Sequence, residues 1–302
     1  LRGLWSALFS LLFVFFFSFC LLLSEDLVFF WLFLELIGLS LVPAFFYVYS
    51  GVSFYTLFIY IVVSSLSSSF LLLGIIEYNL IFFFILGLVI KFGLFPFFGW
   101  VYIIVLGSNG LVVWLFSTIM KVPFMFICLF LCGFVGVQYD LVSLFCILTF
   151  IVVSCFFWVY SYNWRCCWSH MMISSSAVLV LVSFFISLDL LFWLFLIYFF
   201  WSTLVILFLF FLDGCGFSLV YGLNTPGVSG FYFWFGYIFL LLSTPVSLSL
   251  FYKIISSFCV YSCGWVVIFV WVFYCISEQL FFFKYLVSSF VSKYYFNWFS
   301  LL

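Results

Sequence analysis

Charge is what this 302-residue chain has least of. Seven basic and eight acidic residues make up 5% of it, against 71% hydrophobic residues. A soluble domain is nearer half apolar and a quarter charged. So few charges cannot cover a water-exposed globule, and so apolar a chain is not disordered. The near balance of bases and acids leaves no basic patch, which excludes a nucleic-acid binder. Histidine occurs once, at His170, whereas haem bundles and copper oxidase centres need several imidazoles. The eleven cysteines contain no Cys-x-x-Cys pair. Cys128/Cys132 and Cys259/Cys263 each share a helix face, and cysteine in lipid acts as a small soft hydrophobe more often than as a metal or redox pair. The ten-residue alternation of a membrane β-barrel is missing as well.

In its place are unbroken apolar runs of roughly twenty residues, enough to cross about 30 Å of hydrocarbon at 1.5 Å per residue. Ten spans are expected, near 4–23, 27–49, 53–75, 80–105, 111–133, 139–160, 170–188, 190–212, 230–258 and 264–284. Turn residues separate them: Ser24-Glu25-Asp26, Ser50-Gly51, Glu77-Tyr78-Asn79, Gly107-Ser108-Asn109-Gly110 and Asp213-Gly214. The longest loop runs near 213–229, and the aromatic tail 286–302 is expected at the membrane interface. The predicted fold is an all-α polytopic membrane protein, with residues 1–302 forming one membrane domain.

Sorting the loops by side groups Arg2, Arg165, Lys284 and Lys293 with the N-terminus, against one acid, Asp213. The other side collects Glu25, Asp26, Glu77, Asp140 and Asp189 and no base. Lys and Arg mark the side of synthesis, so both termini are expected there. The abundance of Phe (54 residues) beside only five prolines and one histidine is what a T- and G-rich coding strand gives, as in strand-biased mitochondrial genomes. No targeting presequence precedes the first span, and a leading Leu1 fits a non-standard start codon or a truncated sequence. The expected location is therefore the mitochondrial inner membrane, with both termini in the matrix.

The fourth span carries Lys91 with Pro96 close behind; the ninth carries Lys253 with Pro245 close ahead. Spans five apart with the same furniture suggest two inverted five-helix repeats, 1–133 and 139–285, a common plan of ion-moving proteins. Mid-span proline frees backbone carbonyls, so helices 4 and 9 are expected to be discontinuous. Ordinary proline kinks are the competing reading.

Four charges, Glu35, Lys91, Lys121 and Lys253, lie inside spans. Each costs about 2.5–3.5 kcal/mol at a helix centre on insertion scales, so pairing, freed carbonyls or internal water must offset them. Snorkelling works from a helix end; Lys91 and Lys121 lie too deep for it, Lys253 less so, and Glu35 has no long stem. One acid against three bases leaves an excess that water or neutral lysines must absorb. A row of such groups linked by water is a proton relay, and moving one proton changes the field at the next. The serine runs Ser64–Ser65 with Ser67–Ser69, and Ser174–Ser176, are read as close-packing faces. His170 is read as an interfacial residue at a helix start, and the Trp and Tyr residues near helix ends as interface anchors.

Lys91-Phe-Gly-Leu-Phe-Pro96-Phe-Phe-Gly-Trp100 resembles the K-x-G-x-x-P-F-H-x-W segment of the antiporter-like chains of respiratory complex I. Trp114 through Lys121-Val-Pro123 resembles the next helix of those chains, and Trp31-Leu-Phe-Leu-Glu35 through Pro43 their glutamate helix. Order and spacing are similar to NADH-ubiquinone oxidoreductase chain 2; Ser243-Thr-Pro245 through Lys253 resembles its G-x-P…K element, where chain 4 has glutamate. The resemblance covers most of 27–285 and weakens beyond 160. Phe98 stands where the family has histidine, and its A-Y-S-S-I-x-H-M-G helix is eroded to Ile173-Ser-Ser-Ser-Ala-Val-Leu. The resemblance implies a core membrane-arm subunit of the proton-translocating NADH:ubiquinone oxidoreductase. Glu35, Lys91, Lys121 and Lys253 would form its proton relay, with Glu35 paired to Lys91, and Pro96 and Pro245 would mark the helix breaks. It implies no cofactor in this chain, with NADH, FMN, iron–sulfur clusters and ubiquinone bound by other subunits. The implied partners are other membrane-arm subunits, chains 4 and 4L among them, and phospholipid. A stand-alone cation/proton antiporter is the alternative from another class, and a structural spacer that no longer pumps is a third.

Overall fold

The computed structural model describes residues 2–47, 51–77, 80–123, 137–214, 236–245 and 247–299. The Cys128/Cys132 pair and the expected loop beyond Gly214 lie outside the described residues. The helices follow the apolar spans. They are α1 (Arg2–Leu22), α2 (Leu27–Leu41, running into a 3-10 stretch Val42–Phe46), α3 (Gly51–Ile76), α4 (Ile81–Phe92), α5 (Gly99–Gly107), and α6 (Gly110–Ser117, followed by a 3-10 turn Ile119–Lys121). Then come α7 (Val137–Val159), α8 (Trp164–Ser183), α9 (Leu188–Gly214), α10 (236–241), α11 (Leu248–Tyr261) and α12 (Trp265–Phe299). The chain is a multi-pass helical membrane protein: among the described residues seven helices are long and apolar enough to cross a bilayer. Three shorter apolar helices, Ile81–Phe92, Gly110–Lys121 and Leu248–Tyr261, accompany them.

Phe, Leu and Val point outward all around the bundle, as lipid allows: Trp5, Phe16, Phe58, Phe258 and Phe269 are all exposed. The helix at the centre is α8, in which every residue but Arg165 is buried. Neighbouring helices rather than lipid surround it, so serines and a histidine sit there without facing hydrocarbon. Small residues set the closest approach. A Cβ on Gly87 of α4 would stand 2.9 Å from both Ser67 O and Leu71 N of α3, so this glycine brings two backbones together.

The fourth and ninth spans are both interrupted, as expected. α4 stops at Phe92 because Gly93 takes a left-handed conformation, φ 63°. The Gly93 N–H donates to Ile90 O (3.1 Å) and the Leu94 N–H to Val89 O (3.0 Å), the paired closure of a Schellman end. Residues 93–98, including a cis Phe95–Pro96 bond, join α4 to α5. In the ninth span the break falls between α10 and α11 and holds Pro245. Each break has a tryptophan on a carbonyl of the helix end before it: Trp100 Nε1 donates to Ile90 O (3.0 Å) and Trp201 Nε1 to Leu240 O (3.3 Å). The sixth helix has a third interruption at Thr118, φ −108° and ψ −74°, where it tightens into the 3-10 turn.

Loop residues meet at two ends, and Arg165 and Asp213 share one of them. At one end Asn109 Nδ2 donates to Ala44 O (2.8 Å), Arg165 to Ser108 O (2.9 Å), and Arg165 pairs with Asp213 (2.6 Å). At the other, Tyr139 OH donates to Cys263 O (2.8 Å) and packs edge-on to Phe185 at 4.5 Å. Two boundaries differ from expectation. The seventh span begins at Trp164 rather than 170, so His170 lies inside α8. Nor do residues 286–299 separate from the last span: they continue α12 without a break to Phe299.

Candidate functional site

The three interrupted or shortened helices are the three that carry the lysines: Lys91 on α4, Lys121 on the turn after α6, and Lys253 on α11. An ammonium needs acceptors, and a continuous helix keeps its carbonyls for itself. Chain breaks are where side chains and backbone can offer them.

Lys91 is the penultimate residue of α4, and its Nζ donates to Ser64 Oγ of α3 at 3.0 Å. Gly38 of α2 makes room for this contact. A Cβ there would lie 3.2 Å from Ser64 Oγ and 3.9 Å from Lys91 Nζ, and the Gly38 carbonyl accepts from Tyr60 OH at 3.0 Å. Glu35 lies one turn before Gly38 on α2. The expected Glu35–Lys91 contact is absent, however. The ion pairs among the described residues are Arg165–Asp213 and Lys253–Glu278. Glu35 Oε1 is buried without a hydrogen-bond partner. Ser64 stands in the place expected of the carboxylate.

Lys121 is 3% exposed. Its Nζ donates to Met172 O (2.9 Å), Tyr198 OH (2.9 Å) and Ser175 Oγ. Both hydroxyls have spent their own protons elsewhere: Tyr198 donates to Ser117 O (3.0 Å) and Ser175 to Met172 O (2.8 Å). All three partners are therefore acceptors, which matches the three donors of an ammonium. No acid takes part.

A cavity of about 30 Å³ lies between the two lysines, lined among others by Tyr60, Ser64, Lys91, Lys121, Met172 and Ser176. That is room for about one water molecule, with enough polar partners to hold it. The serine runs read as packing faces thus have a second use. Ser67 does pack against α4, while Ser64 receives Lys91 and Ser175 receives Lys121.

Lys253 is neither snorkelling nor free. Its Nζ lies 2.9 Å from Glu278 Oε1, with side-chain exposures of 14% and 3%. Glu278 sits inside the tenth span, so a fifth intramembrane charge went unrecognised and the balance is two acids against three bases. The signal was in the sequence: an acid six residues before the expected end of an apolar run. Neighbouring Gln279 ties this pair to the ninth-span break, accepting from Ser243 N at 2.9 Å and donating to Glu278 Oε1 at 3.3 Å. Pro245 lies in that break and Pro96 in the other. His170 is not interfacial. It is fully buried, its Nδ1 shares a 2.5 Å hydrogen bond with Tyr102 OH, and Phe157 packs on its ring at 4.9 Å. Trp164 and Trp168, near the start of α8, are likewise core residues at 1% exposure rather than interface anchors.

No family model and no curated protein matches the chain. Solved structures do share its fold. A chain of the Mrp complex from Dietzia sp. DQ12-45-1b superimposes with TM-score 0.73 and 18% identity, over 91% of this chain and 59% of that one. A chain of respiratory complex I from Thermus thermophilus with bound aureothin gives 0.70 and 16%, over 93% and 73%. A chain of the membrane-bound sulfane sulfur reductase, an archaeal respiratory membrane complex, gives 0.68 and 14%, over 86% and 61%. This chain spans about three fifths of the Mrp and reductase chains. The chain shares the fold of these three membrane-complex chains.

Proposed function

We propose that this chain is a membrane-arm subunit of a proton-translocating NADH:ubiquinone oxidoreductase, of the chain 2 type, in the mitochondrial inner membrane with both termini toward the matrix. The observation that carries the reading is the placement of one lysine inside each of three interrupted apolar spans, with a water-sized cavity, to which Ser64, Lys91, Lys121 and Ser176 contribute, between the first two. Electrons do not enter this chain; NADH, FMN, iron–sulfur clusters and ubiquinone belong to other subunits. Quinone reduction elsewhere alters the field at Glu35, which biases Lys91. Lys91 passes a proton through the cavity to Lys121, and Lys253 releases toward a neighbouring subunit or the far side. Other membrane-arm subunits, chains 4 and 4L among them, and phospholipid cover the apolar flanks.

Mild detergent extraction and a native gel test membership: the chain is expected in a megadalton complex with NADH dehydrogenase activity. Lys91→Met in that complex is expected to abolish this subunit's share of proton pumping, and unchanged pumping removes the residue from the mechanism. The shared fold with an Mrp complex chain favours a second reading, a stand-alone cation/proton antiporter. A free chain that exchanges Na⁺ or K⁺ for H⁺ in liposomes would establish that reading.

A further inference from the structure

The Arg165–Asp213 pair has no part in the relay. It stands where three helix ends meet: the last turn of α5, the first turn of α8 and the last turn of α9. The ends of membrane spans lie at the depth of lipid headgroups. Arg165 spends Nε on Asp213 Oδ2 (2.6 Å) and Nη1 on carbonyls at the end of α5, the nearest being Ser108 O at 2.9 Å. That leaves Nη2 on the cation and Oδ1 on the acid. The two side chains are 21% and 17% exposed, and they border a pocket of about 340 Å³ whose other walls are Leu106, Tyr162 and Asn163. Asn163 is the N-cap of α8, yet its side chain makes no capping hydrogen bond. Its Oδ1 is buried without a partner. An N-cap asparagine ordinarily gives that oxygen to the first turn of its helix. An orphaned acceptor in a pocket wall costs free energy until a donor meets it.

We infer that this pocket binds the headgroup of an ethanolamine phospholipid. A phosphate alone would face the Asp213 carboxylate, and an ammonium alone would face the Arg165 guanidinium. A zwitterion satisfies both charges. Its phosphate meets Arg165 Nη2 and the positive end of α8, a helix of 20 residues. Its ammonium meets Asp213 Oδ1 and Asn163 Oδ1. A primary ammonium, like that of lysine, has three N–H donors to share between them. The quaternary ammonium of choline has none, so Asn163 selects ethanolamine. Tyr162 is exposed beside the pocket and supplies the amphipathic ring that suits this depth. The site lies apart from the lysines and holds whether or not the chain moves protons.

The test uses the membrane assembly extracted in mild detergent and a phosphatidylethanolamine with a photoreactive group on its acyl chain. Adducts on this chain are expected on α5, α8 and α9 near Leu106, Tyr162 and Asp213. Unlabelled phosphatidylethanolamine should compete for them, and phosphatidylcholine and phosphatidylglycerol should not. Asn163→Ala removes no capping bond and should weaken binding about tenfold to hundredfold, the worth of one hydrogen bond to a charged group. Asp213→Asn leaves Arg165 without its counter-ion and should turn the preference toward phosphatidylglycerol; Asn163→Ala decides the matter if that variant does not assemble. Wild-type affinity in Asn163→Ala overturns the site. Equal competition by phosphatidylcholine, or stronger competition by phosphatidylglycerol, in the unaltered chain overturns the choice of headgroup. Water-soluble glycerophosphoethanolamine that competes as well as the lipid overturns a lipid as the source.

Discussion

Filling the space between Lys91 and Lys121 should stop proton passage without removing any charged group. Ser176 lines that cavity, is 4% exposed, and spends its hydroxyl on Met172 O at 3.0 Å. The same carbonyl already accepts from Lys121 (2.9 Å) and Ser175 (2.8 Å). Losing the Ser176 hydroxyl therefore strands no buried acceptor, and Ser176→Ala should cost no more than about 1 kcal/mol. Ser176→Val replaces the hydroxyl by one methyl and adds a second methyl toward a cavity of about 30 Å³, which holds roughly one water. The worst outcome for folding is overpacking by about 1–3 kcal/mol. With the water displaced, a proton leaving Lys91 loses a hydrogen-bonding station. An unmade hydrogen bond in a buried site costs about 1–3 kcal/mol, and about 3 kcal/mol on a barrier is roughly a hundredfold in rate. The assay is proton pumping by the purified complex in liposomes against its NADH oxidation rate, with assembly checked on a native gel. Ser176→Ala should pump like wild type and Ser176→Val should not. If Ser176→Val assembles and pumps normally, the cavity is not the route.

Further outcomes follow from the same contacts. Lys253→Met leaves the Glu278 carboxylate buried alone and should destabilise by about 3–5 kcal/mol, read as a lower thermal midpoint; adding Glu278→Gln should recover part of the loss. Asn109 caps α6 through Val112 N (3.0 Å) and holds Ala44 O (2.8 Å), so Asn109→Ala should cost about 2 kcal/mol from the cap and the lost hydrogen bond, measurable in the same melt. Gly87→Val drives side-chain carbons into the α3 backbone and should cost about 1–3 kcal/mol or more. Because α3 carries Ser64, it should also reduce pumping.

The apolar spans made the helices legible, because twenty-residue runs have few alternatives in lipid. The breaks were legible at Gly93-to-Pro96 and Pro245, where proline and glycine act locally through backbone geometry. The interruption at Thr118 has its local cause in Pro123, which lacks the N–H that would bond the Ile119 carbonyl and crowds that carbonyl, but only the breaks of the fourth and ninth spans were expected. Lys91, Lys121 and Lys253 stood out because charge inside an apolar run is costly. Their partners did not, since a partner is chosen by tertiary packing: nothing in the sequence says that Ser64 rather than Glu35 meets Lys91. Glu278 escaped because it lies six residues before the expected end of its apolar run, although α12 itself continues to Phe299. His170 was misplaced, and the polar contacts of the α8 serines went unread, for one reason. Composition cannot distinguish a helix facing lipid from one enclosed by protein, and α8 is enclosed.

The proposed relay requires that Lys91 and Lys121 be linked by water held in the cavity between them. A high-resolution density map of the intact complex in lipid tests it most directly. The account predicts an ordered water within hydrogen-bonding distance of Ser64 or Lys91 on one side and Lys121 or Met172 O on the other. Empty density there, with the two ammonium groups separated by packed hydrocarbon, would contradict it.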